Sequence, residues 1–137
     1  MSPKIKTKKD TVKRQNPEVS QNAVKILRNV DDKEAFHFYE NIGKPTGQSA
    51  KNLPEFLNRI NTIKLGSLQF HLERKDFQNW FKETLGDPEL AQRMERIAST
   101  NDERLRVKIH EIVEQRLNEL RDTGITIEVR EELELKH

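Results

Sequence analysis

The 137-residue chain contains no cysteine. This absence excludes disulfide scaffolds, thiolate nucleophiles, cysteine-ligated zinc sites and iron–sulfur clusters. No apolar run approaches the ~18 residues that a membrane-spanning helix needs, and the first residues are polar rather than typical of an export signal. We therefore expect one small, globular, cytoplasmic domain that makes no contact with membranes.

Charge is unevenly distributed along the chain, although its net value is only +2. The first fourteen residues carry one acidic and six basic side chains, so the remainder is net acidic. The basic residues are Lys4, Lys6, Lys8, Lys9, Lys13 and Arg14. Because residues 1–20 contain few apolar side chains, they cannot offset the entropy cost of ordering, and we predict a disordered tail. The tail either binds nucleic acid by releasing counterions or acts as a solubilising leader, and both interpretations stay open.

Aromatic residues are few, and all eight lie in the middle of the chain. They are Phe36, Phe38, Tyr39, Phe56, Phe70, Phe77, Trp80 and Phe81. Aromatic side chains dominate burial in protein cores, so residues 31–98 are predicted to form the core domain. Helix signals prevail there, and we predict an all-α fold: a compact bundle of short helices, followed by one longer amphipathic helix over residues 100–122.

Start and stop signals divide the core domain. The predicted N-caps or capping boxes lie at Asp31, Asn52, Ser67, Asp76, Asp87 and Thr100. Gly86 is predicted to end the helix that starts at Asp76, and residues 43–47, with two glycines and a proline, are predicted to form a loop. Residues 68–74 alternate as a strand does, yet Leu68 and Leu72 are also helix neighbours. The flanking helices favour a helix here.

The longer helix carries an apolar stripe on one face. We identify Leu105, Ile109, Ile112, Leu117 and Leu120 as its candidate partner-binding residues. The stripe either packs on the core or binds a protein partner or a second copy of the chain, and both alternatives remain open. Gly124 is predicted to end this helix. The last residues, 123–137, are predicted to form a charged tail with a short extended segment.

Several motifs of the core domain occur together. They are an aromatic opening at Ala35–Tyr39, the loop Gly43–Gly47, Phe70-His71, Asp76-Phe77, Trp80 and Leu85–Ala91. In this combination residues 34–98 resemble a largely archaeal family of small helical domains of unknown function. The resemblance implies a compact helical module without an established activity, and it assigns no catalytic residues.

His71 and Asp76 form the strongest candidate pair for chemistry. The aspartate could orient the histidine as a general base. The alternative is that Asp76 caps a helix while His71 satisfies a buried polar group, and we favour this structural role. A metal site could combine His37 and His71 with Asp31, Asp32 or Glu34, but their spacing matches no known metal motif.

From these observations we predict a protein that is not an enzyme and holds neither a metal nor a cofactor. The predicted function is a protein-interaction or adaptor module. The alternative is a nucleic-acid-associated protein that uses its basic tail.

Overall fold

A computed structural model describes the backbone of residues 17–136 and the side chains of residues 21–122. In chain order its elements are α1 (Pro17–Leu27), β1 (Phe36–Asn41), β2 (Lys44–Ala50), α2 (Leu53–Ile60), α3 (Leu65–Glu73), α4 (Asp76–Asn79), a π-helical segment (Trp80–Leu85), α5 (Pro88–Met94) and α6 (Arg104–Lys136). None of the helices within this described part of the chain has the length and apolar character that crossing a bilayer requires.

The all-α prediction is wrong because the chain contains an antiparallel hairpin, and the fold is α+β. Strands β1 and β2 pair with Phe36 opposite Ala50 and Tyr39 opposite Pro45. Phe36 and Phe38 are buried, whereas His37 between them is exposed, which is the period of two that a half-buried strand shows. Aromatic residues favour strands. The aromatic opening at residues 35–39 therefore forms β1, and most of the predicted loop at 43–47 belongs to β2.

The outer edges of the two strands are covered by side chains from neighbouring helices. On β1, the main-chain N–H of Tyr39 donates to Nε2 of His71 at 2.8 Å, and the hydroxyl of Ser67 donates to the Tyr39 carbonyl at 2.6 Å. On β2, Nε of Arg59 donates to the carbonyl of Ser49 at 3.0 Å. Both edges of the small sheet are thus tied to α2 and α3.

Three boundary signals of the core domain are confirmed. Asn52 caps α2 by accepting from the N–H of Glu55 at 2.7 Å, and Asp87 caps α5 by accepting from the N–H of Leu90. Gly86, with φ of +82°, ends the π-helical segment as predicted. The helix that was favoured over residues 68–74 is confirmed as part of α3.

Four predicted N-caps are corrected. Thr100 donates its hydroxyl to Asp102 and lies four residues before Arg104, where α6 begins. Ser67 lies inside α3, where its hydroxyl bonds to Tyr39 instead of capping the helix. Asp76 is the first residue of α4, and the cap position is held by Lys75 with φ of +65°. Asp31 accepts from the N–H of Glu34 at 3.0 Å, but this bond closes a turn before β1 and no helix follows.

Both ends of the described chain are more helical than predicted. The prediction of a disordered tail over residues 1–20 is wrong for residues 17–20, which begin α1. That helix buries Ala23 and Ile26 together because they lie three residues apart.

At the C-terminal end α6 continues past Gly124, so the predicted helix stop and the predicted extended segment are wrong. A single glycine costs about 1 kcal/mol within a helix. Its nearest neighbours are β-branched, and the helix is favoured by the leucines, glutamates and arginines of the flanking segments 117–121 and 130–136.

The apolar stripe of α6 packs against the chain's own core. Leu105, Ile109, Leu117 and Leu120 are buried together with the aromatic cluster, whereas Ile112 is only partly buried. The core therefore extends from Ala23 on α1 to Leu120 on α6 and includes residues on both sides of the predicted 31–98 segment.

Helix α5 is held on α6 by a buried ion pair. The side chain of Asp87 is 1% exposed, and its two carboxylate oxygens accept from Nε and an Nη of Arg116 at 2.8 and 3.0 Å. Arg116 also contacts Glu119, which in turn accepts two hydrogen bonds from Arg93 on α5. The network therefore links the first and the last turn of α5 to the same stretch of α6.

We predict that Arg116→Met lowers the free energy of unfolding by about 3 kcal/mol, because it leaves the Asp87 carboxylate buried without a counter-charge. Urea denaturation measures this loss. Arg121→Met is the matched control, since Arg121 is exposed on the same helix, and it should change stability by less than about 0.5 kcal/mol. Equal effects of the two substitutions would contradict a structural role for the ion pair.

Candidate functional site

His71 lies at the centre of a hydrogen-bonded cluster that joins β1, α3 and α4. Its imidazole is 3% exposed; Nε2 is 2.8 Å from the main-chain nitrogen of Tyr39, and Nδ1 is 2.8 Å from Oδ2 of Asp76. A main-chain N–H can only donate, so Nε2 must be the unprotonated nitrogen, and Nδ1 then donates its proton to Asp76. The geometry assigns His71 as a neutral ring.

The environment of His71 favours this neutral form. Burial lowers the pKa of His71 below its usual value, the hydrogen bond that Nδ1 donates to Asp76 opposes this shift, and the nearby charge of Arg74 adds to it. Both ring nitrogens are already used, so neither is free to accept a proton from a substrate. These contacts are the ones that the structural interpretation of the His71–Asp76 pair requires.

A groove of about 430 Å³ opens beside this cluster, between the hairpin and α3. Aromatic rings form much of its wall, and a few polar side chains border it. The principal lining residues are Phe36, Tyr39, Ile42, Phe70, Arg74, Asp76 and Trp80. His71 and Asp76 therefore both border a hollow that solvent reaches, although the nitrogens of His71 are occupied.

The residues that sequence reasoning considered for a metal are engaged separately. Nε2 of His37 is 3.0 Å from the carbonyl of Asp32, whose carboxylate pairs with Lys51 at 2.8 Å. Asp31 accepts from the main chain of Glu34. Within the described range, no three His, Asp or Glu side chains come close enough to hold a metal ion.

A second cavity, a cleft of about 600 Å³, lies between α5 and α6. We call it the basic cleft, because four of its lining side chains are cationic and one is a carboxylate, Glu119. Its cations are Arg93, Arg96, Arg104 and Lys108, and its apolar lining consists of Ile97, Ala98 and Ile112.

The cations of the basic cleft differ in how well they are neutralised. Arg93 binds Glu89 and Glu119, and these hydrogen bonds raise its pKa further above its usual range. Arg104 pairs with Asp102 at 2.7 Å and lowers the pKa of that carboxyl to about 2. The guanidinium of Arg96, which is exposed, makes no hydrogen bond or ion pair with any residue that the structure describes.

Lys108 completes the cationic lining with an exposed pair. Its ammonium lies 3.2 Å from Glu111 of the same helix. Exposed ion pairs of this kind contribute about 0–1 kcal/mol, so a ligand carboxylate can compete for the cation at little cost. The basic cleft thus offers one unpaired cation, Arg96, and one weakly paired cation, Lys108.

The structure separates the residues that sequence reasoning singled out. The tail residues Lys4, Lys6, Lys8, Lys9, Lys13 and Arg14 lie outside the described residues. Of the α6 stripe, Ile112 borders the basic cleft, and Leu117 borders a separate cavity of about 450 Å³ between α2 and α6. The cleft itself was missed because Arg96 and Arg104 are brought together by the turn between α5 and α6, which no spacing rule indicates. The repeat of cations at Arg104 and Lys108, one helical turn apart, was the available signal.

We predict that the protein loses stability as the pH falls below about 6.5, because the unfolded chain binds a proton at His71 before the folded chain does. The melting temperature between pH 7.5 and 5.5 measures this loss. His71→Gln should flatten that slope and, at pH 7.5, lower the free energy of unfolding by about 1–3 kcal/mol, because the N–H of Tyr39 loses its acceptor. His110→Gln, which removes a histidine from the surface of α6, should keep the wild-type slope. Identical slopes for wild type and His71→Gln would refute the assignment.

Comparison with known proteins places this architecture in a family. A family model described as a family of unknown function, DUF5752, matches residues 33–134. The matched range contains the hairpin, the His71 cluster, the basic cleft and nearly all of α6, so it extends well beyond the 34–98 segment of the predicted resemblance. No curated protein and no solved structure gives a match. Because the match covers far more than half of its length, the chain belongs to DUF5752, a family of unknown function.

Proposed function

We propose that the protein is a non-catalytic interaction module that binds an acidic segment of a partner protein in the basic cleft. The observation that carries this proposal is the charge of the lining: four cations surround a single carboxylate, and Arg96 has no counter-charge among the described residues. A partner carboxylate supplies that counter-charge. An arginine fork binds such a group with two parallel hydrogen bonds.

The apolar part of the cleft further restricts the partner. Ile97, Ala98 and Ile112 lie beside the cations, so the complementary segment carries an apolar side chain next to its acidic ones. Interfaces commonly combine an apolar centre with a charged rim. A volume of about 600 Å³ accommodates a few side chains, which fits one turn of a helix or a short peptide.

The α6 helix keeps a role in this proposal, but through a different face from the predicted one. The stripe of Leu105, Ile109, Leu117 and Leu120 covers the core, whereas Arg104, Lys108 and Ile112 border the cleft. Binding at the cleft therefore needs no opening of the core.

A non-catalytic role is supported by the state of His71, the residue that sequence reasoning singled out as a potential general base. Its two nitrogens are committed to Tyr39 and Asp76. A proton acceptor must have a free lone pair within reach of its substrate, and His71 lacks one.

We predict that Arg96→Glu weakens binding of a short peptide of leucine and glutamate residues at least fivefold, or by about 1 kcal/mol. The substitution replaces the unpaired cation with a charge that repels the peptide. Fluorescence anisotropy of the labelled peptide measures the affinity. Raised salt should weaken the wild-type complex, because its contacts are exposed.

Arg121→Glu makes the same change of charge on the exposed surface of α6 and should leave the affinity within a factor of two. Equal losses for the two variants would mean that the peptide follows net charge rather than the cleft. If a lysine–leucine peptide binds as well as the acidic one, the proposal fails. Binding of a single-stranded oligonucleotide in place of the acidic peptide would favour the alternative of a nucleic-acid-associated protein.

A further inference from the structure

The groove between the hairpin and α3 has walls that are already fixed in position. The indole N–H of Trp80 donates to the carbonyl of Glu34 at 2.7 Å, and the Phe36 ring packs against the indole with centroids 5.7 Å apart. Phe70 lies under the guanidinium of Arg74, which is 5.0 Å from the ring centroid. A ligand that lies against these fixed walls therefore orders few additional side chains.

At one border of the groove, Arg74 and Asp76 have polar side-chain atoms that no described residue binds. Nε of Arg74 donates to Oδ2 of Asp76 at 3.1 Å. No described residue bonds to the two Nη atoms of Arg74 or to Oδ1 of Asp76. The pair consequently presents hydrogen-bond donors and an acceptor side by side, with opposite charges that cancel.

We propose that this groove binds a small planar heteroaromatic molecule, of the size and polarity of a nucleobase in a free nucleoside. Its flat face stacks on the ring walls, and its edge, which carries an acceptor next to a donor, pairs with Arg74 and Asp76. Stacking on aromatic side chains tolerates many ring systems, whereas the polar edge selects rings with paired donor and acceptor groups. This proposal does not depend on the basic cleft or on its partner.

The charge of the groove favours this occupant over others. Because the charges of Arg74 and Asp76 cancel, the pair gives neither an anion nor a cation a net attraction, while a purely apolar ring would leave the polar edge of both side chains unpaired. Ile42, which is 79% exposed at the tip of the hairpin and borders the same groove, raises a competing possibility, insertion of this tip into the groove of a second copy. The experiment below distinguishes binding of a planar molecule from insertion of a second copy.

The chain has a single tryptophan, and it lines the groove, so its fluorescence reports on this site alone. We expect adenosine and cytidine, which carry an amino group beside a ring nitrogen, to change the Trp80 emission in a saturable way at millimolar concentrations or below. Purine riboside, which is adenosine without its amino group, should bind at least fivefold more weakly, because the acceptor on Asp76 loses its donor.

Two variants test the assignment within the folded protein. Phe70→Leu removes a stacking surface, and Arg74→Gln, at a half-exposed position, replaces the guanidinium and its paired donors with a shorter amide; each should weaken adenosine binding at least fivefold. Arg96→Gln, in the basic cleft, should leave the adenosine affinity unchanged. Thermal melts establish that each variant is folded.

The proposal is overturned if no nucleoside changes the Trp80 emission of the wild-type protein, or if purine riboside binds as well as adenosine. It is equally overturned if Arg96→Gln weakens binding as much as Arg74→Gln does. A change of emission on dilution of the protein alone, abolished by Ile42→Asp and accompanied by a change in molecular mass, would show that a second copy occupies the groove instead.

Discussion

One buried imidazole determines how the two halves of the core domain are joined. A two-stranded sheet is marginal by itself, and the edge of β1 exposes main-chain groups that must be satisfied when buried. His71 accepts the Tyr39 N–H, Ser67 satisfies the Tyr39 carbonyl, and Asp76 fixes the tautomer that makes this possible. The hairpin, α3 and α4 are thereby held in one arrangement, and the aromatic groove results from that arrangement.

The sequence was sufficient to predict the helix boundaries at Asn52, Gly86 and Asp87 but not the hairpin. Asn52, Gly86 and Asp87 act through their own conformational preferences, and these signals hold in any tertiary context. Phe36 and Phe38, by contrast, are compatible with a helix or a strand, and only the partners of Tyr39 on α3, about thirty residues later, decide between them. Residues that pair across such a distance produce no periodicity within a short stretch of the sequence.

For the same reason, the sequence indicated one candidate site, the His71 cluster, and not the other, the basic cleft. His71 and Asp76 lie five residues apart and were found together, whereas the basic cleft requires α5 to lie against α6. That contact depends on Asp87 and Arg116, which are separated by 29 positions. Since Glu119 also binds Arg93, which lines the cleft, the cleft shares its ionic network with the interior, and the position of its cations follows from the packing of α5.

The closure of both edges of the small sheet affects how the folded protein aggregates at high concentration. Exposed strand edges recruit strands from other molecules and so start cross-β polymerisation. Here β1 is closed by α3, and β2 combines Pro45, which lacks an N–H, with Gly47 at φ of +83° and a carbonyl taken by Arg59. Neither edge of this sheet therefore presents an uninterrupted row of free main-chain N–H and C=O groups. The folded sheet offers no template for fibril growth at high protein concentration.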